Sequence, residues 1–129
     1  MQPSVGVDHV MVDDVARSIE VFGARYLART YTLDERKPVE RMVPKAAAAY
    51  LAGRFAAKEA VYKAIRYPHS QTMAWTDIEI RQSAMGWPEV SLGNAVSRWA
   101  DAAGFDVVEV SISHEGPTAI AVAMAHRIA

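Results

Sequence analysis

The stretch that decides the fold is Arg54–Ile65, RFAAKEAVYKAI. It contains no Gly or Pro and consists largely of Ala and straight-chain residues, which favour a helix. With about 100° between successive residues, one apolar stripe forms from Leu51, Phe55, Tyr62 and Ile65. Lys58 falls within this stripe and Glu59 lies at its edge. The pattern predicts a core-facing helix, so the two charges need an explanation.

Two explanations are open for these charges. In the first, Lys58 lies along apolar surface with its ammonium group in water, and Glu59 pairs with Lys63 one turn later for a few tenths of a kcal/mol. In the second, the charged side chains face a functional cleft. The remainder of the chain has to distinguish them.

Composition limits the classes of protein to which the chain can belong. Its 129 residues, 51% of them hydrophobic, fit one domain spanning 1–129 that can build a core without disulfides, and there is no Cys. With 14 basic and 15 acidic residues, the net charge of −1 gives no whole-chain field that would favour nucleic acid or a membrane surface. The N-terminus lacks the features of a secretion signal, and no run of 18 apolar residues occurs. We therefore expect a soluble, cytoplasmic protein with no nucleic-acid or membrane partner.

Residue alternation and Gly/Pro positions predict the order β-α-α-ββ-α-ββ, an α+β class. Asp13 and Asp14 follow the first strand and are predicted to cap a helix, and Thr32 and Glu35 have capping-box spacing. A long helix is expected from Pro44 to about Ile65. The other predicted elements are strands at 4–12, 77–82, 88–92, 105–113 and 118–126, and a helix at 93–103.

Three polar residues interrupt apolar elements: Asp8 in the first strand, Glu59 on the long helix, and His114 at the end of a strand. A carboxylate in a mostly buried strand is unfavourable unless it is paired or bound to a cation. Two carboxylates with few other ligands suit Mg²⁺, which commonly completes its shell with water and phosphate oxygens. An edge or capping role for Asp8 and a simple turn role for His114 remain open on these grounds alone.

Several motifs occur in the order and spacing of one known family. They are Gly6-Val-Asp8, the block LAGRFAAKEA at 51–60 followed by Lys63, WTDIEI at 75–80, Gly86-Trp-Pro88 and SISH at 111–114. In these features the chain resembles the holo-[acyl-carrier-protein] synthases, which are small single-domain 4′-phosphopantetheinyl transferases. The resemblance implies their fold, in which a long central helix packs on a mainly antiparallel sheet.

The resemblance also implies an activity. Members of the family transfer the 4′-phosphopantetheine arm of coenzyme A to a serine of an apo acyl carrier protein and release 3′,5′-ADP in a Mg²⁺-dependent reaction. By this resemblance Asp8 and Glu59 hold Mg²⁺, Lys63 neutralises the leaving phosphate, and Glu59 is our candidate for the general base. The family is homotrimeric, with clefts between subunits, so His114 of one subunit would serve the metal site of its neighbour.

Further site residues are implied in the same way. The expected contacts to coenzyme A are Arg54, Lys58, Lys63, Ser113 and His114, with His114 at the 3′-phosphate and adenosine end. The expected docking residues for the carrier protein are Arg17, Phe22, Arg25, Tyr26 and Arg29.

The sequence departs from the family in three places, one of them Trp87, where relatives usually have Lys between the residues matching Gly86 and Pro88. A segment at 66–70, RYPHS, replaces a Gly-rich stretch near the phosphates, and Arg66 or His69 is a candidate to substitute for its contacts, a solvated turn being the alternative. Asp13 and Asp14 stand where relatives often present basic residues to an acidic carrier protein. Two functions therefore stay open: an active transferase for a fatty-acid or polyketide-type carrier, and a catalytically weakened module that binds coenzyme A or the carrier protein.

Overall fold

A three-stranded antiparallel sheet lies at the centre of the structure, a computed structural model that describes residues 2–128. Its strands are β1 (Ser4–Met11), β4 (Val107–Glu115) and β5 (Thr118–His126), with β5 in the middle. A separate hairpin consists of β2 (Ile78–Gln82) and β3 (Pro88–Leu92). The predicted α+β class and the order of the elements are confirmed.

Five α-helices connect the strands: α1 (Val12–Phe22), α2 (Ala24–Thr30), α3 (Leu33–Arg36), α4 (Pro44–Ala64) and α5 (Asn94–Ala103). The capping box is confirmed, since the Thr32 hydroxyl accepts from the Glu35 amide and the Glu35 carboxylate accepts from the Thr32 amide. The prediction that Asp13 and Asp14 cap α1 is wrong. The helix begins at Val12, so both aspartates lie in its first turn, where the helix dipole favours negative charge. Among the described residues, even the longest helix lacks the length of apolar sequence that a membrane span requires.

Helix α4 packs on the sheet through small residues. Ala56, Ala60 and Ala64 on its sheet-facing side are fully buried. Gly6 of β1 lies so close that a Cβ there would overlap the carbonyl oxygen of Ala60 and lie 2.7 Å from the amide nitrogen of Ala64. Strand and helix therefore touch backbone to backbone, which brings Asp8, two residues further along the same face of β1, to the flank of α4.

The predicted apolar stripe of α4 faces a second layer, away from the sheet. Phe55 and Tyr62 both pack against Trp75, with ring centroids 5.3 Å and 5.7 Å apart. The Ile65 carbonyl accepts a hydrogen bond from the Trp99 indole at 2.8 Å. The helix is thus buried on two sides, and the sequence pattern identified only one of them.

Lys58 is fully buried within this second layer. Its Nζ lies 2.8 Å from Glu35 Oε1 and donates to the carbonyl oxygens of Trp75 and Ile78. The other carboxylate oxygen of Glu35 accepts from the Ile80 amide at 2.7 Å. Burial lowers the pKa of Lys58, and the Glu35 carboxylate partly opposes that shift. All three ammonium donors are engaged inside the protein, so the expectation that the Lys58 ammonium lies in water is corrected. No donor of Lys58 is left over for the predicted contact to coenzyme A.

We predict that Lys58→Met destabilises the fold by about 3–5 kcal/mol, because it leaves Glu35 as an uncompensated buried charge. Adding Glu35→Gln should recover about 1–3 kcal/mol through the coupling between the two sites. Urea unfolding of both variants measures these values. Lys63→Met on the same helix is the matched control, and it should change stability by less than about 1 kcal/mol, since the Lys63 ammonium is half exposed. A Lys58→Met variant that stays stable but loses activity would contradict the structural role and show that Lys58 acts in the functional site.

Candidate active site

Three charged side chains meet where β1 passes the flank of α4. Lys63 Nζ lies 2.9 Å from Asp8 Oδ1 and donates to the Val7 carbonyl at 3.0 Å. Burial, the negative charge of Asp8 and hydrogen bonding between the two carboxyl groups raise the pKa of Glu59 to about 7, against the opposing effect of Lys63. Lys63 forms its ion pair with Asp8. The first explanation of the helix charges, in which Glu59 pairs with Lys63, is therefore wrong for this helix. The structure thus brings together three residues that the sequence predicted for one site.

The donor set fits a magnesium ion. Two adjacent carboxylates repel each other unless one is protonated or a cation lies between them, and after burial the charge of Asp8 is the next cause of the raised pKa of Glu59. Within residues 2–128 no group of three His, Cys, Asp or Glu side chains is placed to hold a metal. A site with only two carboxylates suits Mg²⁺, which keeps water ligands and takes further oxygens from substrate phosphates. Asp8 and Glu59 are the residues that would hold it.

A second polar cluster contains Arg54 and His114. The Arg54 guanidinium stacks on the Tyr50 ring, 4.3 Å from its centroid, and His114 Nε2 lies 2.9 Å from the Ala49 carbonyl oxygen. Arg54 and His114 line a cleft of about 220 Å³ together with Tyr50, Gln82, Gly86, Pro88 and Ile112. Arg54 is 8% exposed, and its Nε is buried without a hydrogen-bond partner among residues 2–128. A buried cation of this kind marks a place for an anion.

The two clusters lie on opposite flanks of α4. At about 100° per residue, Glu59 and Lys63 point roughly half a turn away from Arg54. In the sheet, β5 separates Asp8 on β1 from His114 on β4. The two strands are therefore about 10 Å apart, with α4 packed between the clusters. One chain alone does not present both clusters in a single cleft.

Other predicted contacts lie outside the clusters. Ser113 is exposed on β4, and because side chains alternate along a strand it faces away from His114, on the outer side of the sheet. In the 66–70 segment, Arg66 donates to the Ser4 hydroxyl and His69 is hydrogen-bonded to the Tyr62 hydroxyl. A phosphate contact by Arg66 or His69 stays a prediction.

The predicted docking residues lie on α1 and α2. Arg17, Phe22, Arg25 and Arg29 are exposed. Tyr26 is half-buried, and its hydroxyl is hydrogen-bonded to that of Tyr31 at 2.8 Å. A cleft of about 440 Å³ runs from α1 to Glu59, and Asp14, Tyr26 and Phe55 are among the other residues that line it. Helix α1 therefore borders the proposed reaction centre.

Comparison with known proteins confirms the resemblance. The family model of the 4′-phosphopantetheinyl transferase superfamily matches residues 4–123, and the chain belongs to this family. A holo-[acyl-carrier-protein] synthase of Desulforudis audaxviator is 40% identical over 94% of this chain and 90% of its own length. The crystal structure of a holo-[acyl-carrier-protein] synthase from Neisseria meningitidis is 32% identical, with a TM-score of 0.82 and coverage of 96% and 98% of the two chains. A Helicobacter pylori holo-[acyl-carrier-protein] synthase in complex with coenzyme A is 25% identical, with a TM-score of 0.80 over 95% of this chain and 99% of that one.

We predict that Asp8→Asn and Glu59→Gln each reduce catalytic turnover by about 10²-fold or more, because each removes one of two carboxylates that act together. The double variant should be little worse than either single variant. Binding of Mg²⁺ should raise the Tm of the unmodified protein and leave the Tm of both variants unchanged, since a ligand stabilises only the state that binds it. A normal Mg²⁺-induced shift in Asp8→Asn would remove Asp8 from the metal site.

Proposed function

We propose that the chain transfers the 4′-phosphopantetheine arm of coenzyme A to a serine of an apo acyl carrier protein in a Mg²⁺-dependent reaction. The observation that carries the proposal is the adjacency of Asp8, Glu59 and Lys63 in a member of the transferase superfamily. A catalytically weakened binding module would have no need to keep two mutually repelling carboxylates beside a lysine. The similarity to synthases, one of them in complex with coenzyme A, supports the choice of substrates.

The chemistry is a phosphoryl transfer. The serine oxygen bonds to the β-phosphorus of coenzyme A, the bond from that phosphorus to the bridging oxygen breaks, and 3′,5′-ADP leaves with the bond electrons. Bound Mg²⁺ would supply charge neutralisation at the pyrophosphate. Lys63 stabilises the leaving phosphate, and Glu59 is proposed to act as the general base that accepts the serine proton.

The second cluster is proposed to bind the other end of coenzyme A. The 3′-phosphate is a compact dianion, and Arg54, whose Nε has no hydrogen-bond partner within residues 2–128, lines one cleft with His114 and offers it donors there. Arg54 is thereby proposed to contact the same 3′-phosphate as His114. Lys63 remains at the pyrophosphate.

A homotrimer with clefts between subunits would join the two clusters. The outer face of the sheet is apolar and exposed, with Val5 63% and Val7 55% exposed, and it continues through Ile120, Val122 and Met124. An exposed apolar face of this kind marks a protein interface. We propose that copies of the chain cover it, so that Asp8 of one subunit and His114 of its neighbour serve one coenzyme A molecule.

A cytoplasmic location remains a prediction from the sequence.

The direct test of the function is incubation of the protein with Mg²⁺, coenzyme A and a panel of apo carrier proteins of fatty-acid and polyketide type. Mass spectrometry should find one added phosphopantetheine arm on at least one carrier. The Asp8→Asn protein is the matched control and should leave every carrier unmodified. Failure to modify any carrier, combined with binding of coenzyme A, would favour the binding module.

The subunit arrangement predicts complementation. Asp8→Ala and His114→Ala homotrimers should each be inactive, and mixed trimers refolded together should recover part of the activity. Some mixed interfaces combine an intact Asp8 with an intact His114 from a neighbouring chain. Sedimentation measures the oligomer, and a fully active monomer would contradict the shared cleft.

The position of α1 beside Glu59 predicts how the carrier protein docks. Carrier proteins are acidic around the modified serine, and charge at an interface governs encounter and discrimination. Arg25→Glu should therefore raise KM for the carrier by about tenfold with little change in kcat. The combined Asp13→Lys and Asp14→Lys variant should raise kcat/KM for a strongly acidic carrier at low salt, an effect lost at high salt. An unchanged kcat/KM at low ionic strength would show that the aspartates serve only the helix dipole.

A further inference from the structure

Two residues of α4 hold Arg54 and His114 in their positions. The first is Tyr50, one turn before Arg54 on α4. Its ring lies 4.3 Å from the Arg54 guanidinium carbon, the geometry of a cation–π contact. Because Arg54 Nε finds no hydrogen-bond partner within residues 2–128, this ring is what holds the guanidinium against the cleft.

The second residue is Gly53. Helix interiors disfavour Gly by about 1 kcal/mol relative to Ala, yet Gly53 lies in the middle of the longest helix. A Cβ at this position would lie 3.0 Å from both Cε1 and Nε2 of His114 and 3.1 Å from Cγ2 of Ile112. Because Gly53 has no side chain, the imidazole of His114 has room to reach the carbonyl oxygen of Ala49, one turn earlier in the helix.

We infer that Tyr50 and Gly53 are positioning residues that set the selectivity of this cleft for the 3′-phosphate of the nucleotide. Tyr50 orients the Arg54 guanidinium by stacking, and Gly53 admits the His114 ring. The His114 Nε2–H donates to the Ala49 carbonyl oxygen, so Nδ1 is the ring nitrogen that remains to donate to a phosphate, which it does when the imidazole carries both protons. The inference rests on the proposed function for the identity of the anion. It assigns to these two residues no contact with the reacting atoms.

Binding of two nucleotides tests the inference without any transfer step. Calorimetry should show that the unmodified protein binds 3′,5′-ADP more tightly than 5′-AMP, which differs from it only by lacking the 3′-phosphate. Tyr50→Leu should weaken binding of 3′,5′-ADP by about threefold to thirtyfold, the range that corresponds to a cation–π contact, and should change binding of 5′-AMP by less than about twofold. Tyr50→Phe keeps the aromatic face and should stay close to the unmodified protein.

Gly53→Ala gives an independent arm of the test. It should weaken binding of 3′,5′-ADP by about threefold to tenfold, the loss expected when one charge-assisted hydrogen bond is displaced. In a His114→Ala background the same substitution should have little further effect, because the methyl group then has no imidazole to displace. In the transfer reaction, each positioning variant should raise KM for coenzyme A, leave kcat largely unchanged, and leave KM for 3′-dephospho-coenzyme A unchanged.

Equal loss of affinity for both nucleotides in Tyr50→Leu would overturn the inference, since it would show that Tyr50 only supports the fold. Lack of any preference for 3′,5′-ADP in the unmodified protein would overturn it as well. A clear preference that Tyr50→Leu abolishes, in a protein that modifies no carrier, would support the inference while contradicting the proposed transferase function.

Discussion

The close approach of β1 to α4 is the constraint on which the rest of the structure depends. Gly6 has no side chain, and the α4 backbone atoms nearest to it belong to Ala60 and Ala64, so strand and helix backbones come into direct contact. That contact fixes both the height and the rotation of α4 over the sheet. Asp8 lies two residues beyond Gly6 and Glu59 one residue before Ala60, so the two carboxylates become neighbours as a consequence of backbone packing. The proposed metal site is therefore held by a strand and a helix whose backbones pack directly on each other.

Two buried cations on α4 show how one helix supports both the fold and the site. Lys58 has a carboxylate partner inside the protein, and all its donors are engaged. Arg54, one turn earlier, has no internal hydrogen-bond partner at Nε among the described residues and rests on an aromatic ring. A buried charge that the fold has already paired is structural, whereas one that the fold leaves unpaired is stabilised only when a ligand arrives. The difference could not be seen in the sequence, because both residues belong to the same motif.

The sequence predicted the element order, the long helix and the Asp8, Glu59 and Lys63 group, because these follow from alternation, helix propensity and a motif. It was wrong about Lys58, since the partner Glu35 is distant in the chain and nothing in the local pattern indicates that the two meet. It also identified only one buried face of α4. Alanines carry little weight in a hydrophobic stripe, yet here they form the face that packs on the sheet.

Tyr50 and Gly53 illustrate a further limit of sequence patterns. A tyrosine on an amphipathic helix is read as core, and a glycine in a helix interior is read as a weak point. Their roles emerge only when β4 brings His114 across the helix, because the space above Gly53 matters only once a ring fills it. The sequence does contain one signal. Gly53, which is unfavourable inside a helix, stands immediately before Arg54, an arginine that the helix buries. Such a local conflict inside an otherwise consistent element indicates that tertiary structure, and here ligand binding, determines the choice of residue.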